Sequence, residues 1–220
     1  MGVLSMRRRG AGGNNRLEYI TDGLVFHMDG LNKGSNPNYW TDTVGGLQFA
    51  YVTGVTPSNN GIVFESKHEP FIRSNTGIDF PYRTHTIEIV CSSINGMLFF
   101  NSASGQIALG KLQNGLIYGV GYAAAPIPIA NGDIPSCISV CDGNSVINGV
   151  SVQRSGSPSS WSGDSSNVIT IGGRSLRTDY KFVGTIYDIR IYNRKLSIEE
   201  MIYNQKIDND RYSLGILFQE

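Results

Sequence analysis

Charged side chains recur through GTIYDIRIYNRKLSIEEM (184–201), the most regular stretch of the chain, where a strand pattern turns abruptly into a helix pattern. Asp188 and Arg190 alternate along the strand and so share a face, where they can pair with each other or with a neighbouring strand. Tyr187, Ile189 and Ile191 are expected on the opposite, core-facing side. Asn193-Arg194-Lys195 breaks the strand. Ser197 then opens S-I-E-E, a capping box with Ser197 as N-cap and Glu200 at N3. A helix of two to three turns is expected to follow, with Ile198, Met201 and Ile202 as its apolar stripe, covering one end or edge of the sheet. Both carboxylates and both bases thus have structural uses, and catalysis is not expected from them. His27, His68 and His85 are scattered, and no G-x-S-x-G elbow accompanies them. GVGYAA (119–124) holds only a fragment of a dinucleotide fingerprint.

Binding chemistry has better candidates. Sugars are held by aromatic faces together with a few polar groups that fix orientation. Aromatics set in polar stretches are Tyr39 and Trp40 in NPNYW, Tyr82 in FPYR, Trp161 in SSWSGD and Tyr180 in RTDYK. Trp40, Tyr82, Trp161 and Tyr180 are the candidate carbohydrate-binding residues, and Trp161, flanked by small or polar residues, is the foremost. Asp164 and Asp179 carry carboxylate oxygens of the kind that ligate calcium. Calcium takes several oxygen ligands, however, and no dense acidic loop is visible, so neither metal nor cofactor is expected. Arg7-Arg8-Arg9 lies in a basic, glycine-rich stretch and is a candidate arm for docking on a partner's acidic surface or on nucleic acid.

The chain around these residues is 220 residues long, with 27 Gly and 8 Pro, and its Lys plus Arg equal its Asp plus Glu. Frequent turns and little charge point to many short strands, with no global field favouring nucleic acid or an anionic membrane. Strand patterns appear at LVFHMD (24–29), GLQFAYV (46–52), GIVFE (61–65), HTIEIVCS (85–92), MLFFNS (97–102), QIALGKL (106–112), GLIYGVGY (115–122), CISVCD (137–142), VITIGG (168–173) and GTIYDIRIYN (184–193). Asn-Gly and Asp-Gly pairs, at Asn95-Gly96, Asn114-Gly115, Asp142-Gly143 and Asn148-Gly149, suit tight hairpins. Residues 32–39 and 155–167 are expected to be long surface loops. Residues 1–16 form a flexible basic arm, and residues 17–220 form one domain ending in a short helix and tail. No apolar run approaches the ~20 residues of a membrane span. MGVLSMRRRGAGGNN lacks the apolar stretch of a secretory signal, which gives an expectation of assembly without export. Of three cysteines, Cys137 and Cys141 lie about 13 Å apart along a strand, too far to pair, so reduced thiols are expected.

FVGTIYDIRIYNRKLSIEEM (182–201) resembles the closing segment of the laminin-G-like branch of concanavalin A-like lectin/glucanase domains. The shared pattern is a glycine, a strand with an acidic residue then arginine, "YNR", a capping Ser or Thr, and a short helix. ISVCDGNSVINGVSV (138–152) resembles the family's hairpin, VITIGGR (168–174) its strand ending in "IGG", and DGLVFHMDGLN (22–32) its first strand. Cys141 departs from the pattern, standing where relatives usually carry an aromatic. The resemblance implies an all-β jelly-roll sandwich of two antiparallel sheets with a short C-terminal helix.

Enzymatic members of that superfamily place carboxylates on alternate residues of one strand, in a Glu-x-Asp-x-x-Glu type pattern, so that both reach one sugar bond. In TIEIVCS, Glu88 stands alone with Val90 in the partner's place, and is expected as an exposed strand residue. The resulting expectation is a non-catalytic structural or adhesive protein. It would be a phage virion component (capsid decoration, fibre or tail-associated), joined to other virion proteins by its arm and meeting host-surface glycans, with no membrane and no sequence-specific nucleic acid as partner. The alternative is a carbohydrate-binding module of a bacterial surface protein.

Overall fold

The computed structural model of the protein describes residues 17–65, 71–77, 84–101, 107–112, 115–120, 125–127, 136–141, 143–152, 168–173 and 181–218. Alternation of apolar and polar residues gives the first strands, β1 (Leu24–Asp29), β2 (Tyr39–Thr41), β3 (Gln48–Ala50), β4 (Val55–Pro57), β5 (Ile62–Phe64) and β6 (Ile72–Gly77). The middle of the chain supplies β7 (Thr86–Cys91), β8 (Met97–Asn101), β9 (Ile107–Leu112), β10 (Gly115–Val120) and β11 (Ala125–Ile127). The last are β12 (Ser136–Cys141), β13 (Ser145–Ile147), β14 (Val150–Ser151), β15 (Val168–Ile171) and β16 (Gly184–Tyr192), followed by helix α1 (Ile198–Tyr212). The expected strands are all present. Residues 32–38 are irregular as expected, but Tyr39 already begins β2.

These strands form two eight-stranded sheets in which the described pairs are antiparallel. The first runs β14-β13-β12-β7-β16-β5-β4, with β1 also paired to β16, and the second runs β11-β10-β9-β8-β15-β6-β3-β2. The sheets close on one core that includes Phe26, Met28, Trp40, Phe49, Phe64, Ile72, Ile89, Leu98, Leu109, Ile171 and Ile191. This two-sheet core is a jelly-roll sandwich. At the β13–β14 turn Asn148 (φ 51°) and Gly149 (φ 78°) both take positive φ, as a tight Asn-Gly hairpin demands.

β16 lies at the centre of the first sheet. One of its edges runs along β7; the other pairs first with β5, through Gly184–Ile186, and then with β1. Between Ile186 and Asp188 the register against β7 shifts, leaving one extra residue on β16. That bulge corrects the expectation for Tyr187. Instead of entering the core with Ile189 and Ile191, its ring turns to the outer side and meets Tyr212 at 5.5 Å between centroids.

The capping box forms as expected: Ser197 Oγ accepts from Glu200 N, and the Glu200 side chain accepts from Ser197 N. The helix is longer than the two to three turns expected, at 15 residues, and ends with Ser213 in the left-handed conformation (φ 53°). It covers the outer face of the first sheet, with Met201 packed against Tyr192 and Leu196 and flanked by half-buried Ile198 and Ile202. Arg194 joins Glu200 through two contacts of 2.7 and 2.9 Å. This hydrogen bond holds the Glu200 carboxyl below the usual glutamate range. A depressed carboxylate adds stability above its unfolded pKa and loses it as pH falls. Glu200→Gln is therefore expected to lower stability by about 1 kcal/mol at neutral pH, with the deficit closing below about pH 4. Urea unfolding of both proteins from pH 7 to pH 3 checks this.

The three cysteines are free and buried. Burial pushes the Cys91 thiol up to about 12, so it is protonated and unreactive at neutral pH.

Candidate functional site

The outer faces of the two sheets are chemically opposite. On the first, antiparallel register sets His27 opposite Arg190, Arg190 opposite Glu88, and Glu88 opposite Ser139. A polar line therefore crosses four strands, and α1 lies over it with Asn204, Gln205 and Asp208 turned inward. Arg190 is 0% exposed. Its guanidinium grips Asp208 through two contacts of 2.8 and 2.6 Å, while Nε donates to Glu88 at 2.9 Å and Nη1 to Asp188 at 2.9 Å. The Tyr19 ring lies 3.9 Å from the guanidinium carbon, and its hydroxyl donates to Asp208 at 2.7 Å.

Every carboxylate in this cluster has donors. Glu88 also accepts from Asn204 Nδ2 and Ser139 Oγ, and Asp188 from His27 Nε2 at 3.0 Å and the Tyr212 hydroxyl at 2.9 Å. Gln205 Nε2 donates to Ser139 Oγ and to the Val146 carbonyl. Burial raises the Glu88 carboxyl above its ordinary value despite Arg190 beside it. Burial pushes Asp188 the same way, but Arg190 and His27 outweigh it and hold that carboxyl low. Glu88 is thus not an exposed strand residue. It is 1% exposed and committed to Arg190, Asn204 and Ser139, because the helix roofs the face on which it stands. The cluster is a clasp between strand and helix with no room for substrate.

The second sheet shows the reverse. Trp40, Phe49 and Ile72 point into the core, so Tyr39, Thr41, Gln48, Ala50, Arg73 and Asn75 point outward. Ala50, Arg73 and Asn75 are exposed, and Tyr39, Thr41 and Gln48 half-buried. Amide, hydroxyl, guanidinium and phenol groups on a sheet face are the groups that meet sugar hydroxyls.

Of the residues expected to bind sugar, Trp40 must be withdrawn. It is 0% exposed, with its indole N–H donating to the Asp29 carbonyl at 3.2 Å. β2 alternates, and Trp40 takes the inward side while its neighbour Tyr39 takes the outward one. Tyr82, Trp161 and Tyr180 lie outside the described residues, as do Arg7, Arg8, Arg9, His68, Asp164, Asp179 and the turn residue Asp142. Gly77 and Val168, which end β6 and begin β15 on the chain toward Tyr82 and Trp161, are register partners. His27 is packed between Asp188 and the edge of the Tyr19 ring. Among the described residues no cluster of His, Cys, Asp or Glu has the form of a metal site, and no helix is long and apolar enough to cross a membrane.

Sequence reasoning missed the outward platform on β3 and β6. The only signal for it was the polar alternation of IRSNTG and the Tyr-Trp-Thr triplet of β2.

Similar structures share this layering. Domain 4 of AbnA, a GH43 extracellular arabinanase from Geobacillus stearothermophilus in complex with arabinotriose, superposes with a TM-score of 0.60 at 15% identity, over 81% of this chain and 96% of that domain. The receptor binding domain of botulinum neurotoxin type G gives 0.61 at 14% identity, over 85% of this chain and 52% of that one. Trypanosoma rangeli sialidase in complex with the inhibitor DANA gives 0.59 at 16% identity, over 86% of this chain and 34% of the sialidase. The chain thus spans about a third of the length of the sialidases it matches. No curated protein matches it. Identities this low establish a common fold only. The model of the concanavalin A-like lectin/glucanases superfamily matches residues 83–201, more than half of the chain. The chain therefore belongs to the concanavalin A-like lectin/glucanases superfamily, in its laminin-G-like branch.

Proposed function

We propose that this protein is a non-catalytic glycan-binding module, acting as a structural or adhesive component of a phage virion. The observation that carries the glycan reading is the contrast between the two outer faces. One is sealed by α1 over a buried ion cluster, while the other offers exposed amide and guanidinium groups beside a half-buried phenol. The arabinotriose complex of the AbnA domain supports sugar as the ligand class. Tyr82, Trp161 and Tyr180 are proposed as aromatic contributors to sugar binding. A non-catalytic role is supported by Glu88, whose donors leave it no free oxygen for acid or nucleophile work.

The virion reading assigns residues 1–16, with Arg7, Arg8 and Arg9, to docking on other virion proteins. Its support is geometric. Tyr19 and Ile20 are tied to Asp208 and Asn204 of α1, so the chain enters the domain on the side away from the second sheet. A partner gripping the arm leaves the platform pointing outward. Deleting residues 1–16 should abolish co-purification with particles while leaving the melting temperature unchanged. Retention of the truncated protein on particles would overturn the arm assignment. A bacterial surface module is favoured by the 96% coverage of a single domain of an extracellular enzyme. In that case the protein binds glycans but co-purifies with no particle.

A further inference from the structure

The outer face of β2, β3 and β6 carries one cation, Arg73, and no acid, and its geometry points to a specific class of sugar. Tyr39 pairs with Ala50 across β2 and β3, and Phe49 pairs with Ser74 across β3 and β6, which sets Ala50 beside Arg73. Arg73 in turn stands opposite Thr170 of β15. Tyr39, Ala50 and Arg73 therefore form one cross-strand line. With strands about 4.8 Å apart, the phenol and the guanidinium rise about 10 Å from each other on either side of an exposed methyl group. That is a slot with a shallow apolar floor, a ring at one end and a planar cation at the other. In the next line Asn75 Oδ1 accepts from Gln48 N at 3.4 Å, which leaves the Asn75 amide N–H donors and the Gln48 amide group for a ligand.

Arg73 is exposed and makes no hydrogen bond or ion pair with the described residues. Its neighbour Thr170 is buried and donates its hydroxyl to the Gly173 carbonyl at 2.9 Å. On the other sheet, by contrast, each of the three carboxylates facing Arg190 is neutralised internally. A guanidinium presents a fork of N–H donors that matches a carboxylate through two parallel hydrogen bonds, which neutral hydroxyls do not reproduce.

We propose that this line binds a carboxylate-bearing saccharide. The sugar ring lies over Ala50, its C–H face is turned to Tyr39, its carboxylate is held by Arg73, and its hydroxyls meet Gln48 and Asn75. The inference rests on the glycan-binding reading above and adds the ligand class and the residues that select it.

The test uses the full chain against uronic-acid- and sialic-acid-bearing oligosaccharides, each beside its carboxyl-reduced counterpart, by titration calorimetry. The acidic forms should bind about ten- to hundredfold more tightly than the reduced ones, the range expected for charge-assisted hydrogen bonds. Arg73→Gln should erase that difference and leave the weak neutral binding in place, and Ala50→Trp should block both. Both positions are exposed, so unchanged melting temperatures should accompany these losses. If reduced and acidic forms bind alike and Arg73→Gln changes nothing, the acidic-ligand inference falls while glycan binding stands. If Ala50→Trp leaves binding intact, the slot is in the wrong place. If no saccharide binds the wild-type chain, the glycan reading falls and this inference with it.

Discussion

Arg190→Leu is expected to leave the protein largely unfolded at 37 °C. Leucine fills part of the volume, but it strands Glu88, Asp188 and Asp208 in a site that water does not reach. Removing one partner of a buried ion pair costs about 3–5 kcal/mol, because the remaining charge stays desolvated and unpaired. Here three carboxylates lose the same cation, against a total stability on the order of 5–15 kcal/mol for a domain. Loss of the near-ultraviolet circular dichroism signal and of the cooperative urea transition measures the effect. A compensated variant separates the charge effect from packing. Converting Glu88, Asp188 and Asp208 to apolar residues of similar size together with Arg190→Leu should recover much of the lost stability, since a buried ion cluster is not intrinsically stabilising against well-packed apolar groups. A stable, native-like single Arg190→Leu protein would show that the clasp does not hold the helix.

Trp40→Ala is expected to act on folding as severely, and not on sugar recognition as such. Emptying the space of a fully buried tryptophan costs about 3–5 kcal/mol in transfer free energy and cavity, and the Asp29 carbonyl loses its indole donor as well. Thermal unfolding should shift down by about 10–20 °C, taking the conversion for a large domain at about 2–4 °C per kcal/mol with the upper end of that cost. Tyr39→Ala, one residue away on the outward side, should leave stability within about 1 kcal/mol of wild type and weaken glycan binding instead. Reversal of these two outcomes would mean that β2 is turned over, with the tryptophan on the surface.

The strands were legible because alternation is a local signal. Leu24–Asp29 is read directly from LVFHMD, and the capping box at Ser197 fixes where the helix starts. Alternation tells which side a residue takes, but not what covers that side. Glu88 stood on the polar side of TIEIVC, and only the arrival of α1 more than a hundred residues later makes that side interior. The matching clue was in the helix itself. Asn204, Gln205 and Asp208 follow Met201 on one face, so the inward stripe is half polar and its apolar periodicity fades early. This is also why the helix was expected to be shorter than it is. Tyr187 was assigned to the core because a bulge offsets the period by one residue, and nothing in GTIYDIRIY announces it. Trp40 was misplaced for a different reason. The turn-forming residues before it, Asn36, Pro37 and Asn38, mark a loop that ends just where the strand begins at Tyr39.

The central position of β16 governs the order in which the molecule can be made. β1, β5 and β7 all pair with a strand built from residues 184–192, and Tyr19 finds Asp208 across 189 residues of chain. While the chain is being synthesised, β1 has no mate, and β5 and β7 are paired only on their far edges, with β4 and β12, so the gap between them stays open until β16 fills it. Closure of the sheet accordingly waits for β16 and is slowed by the search for contacts of great sequence separation. A chain halted short of residue 184 presents several unpaired strand edges at once, the state in which β-rich proteins associate with one another and fail to fold.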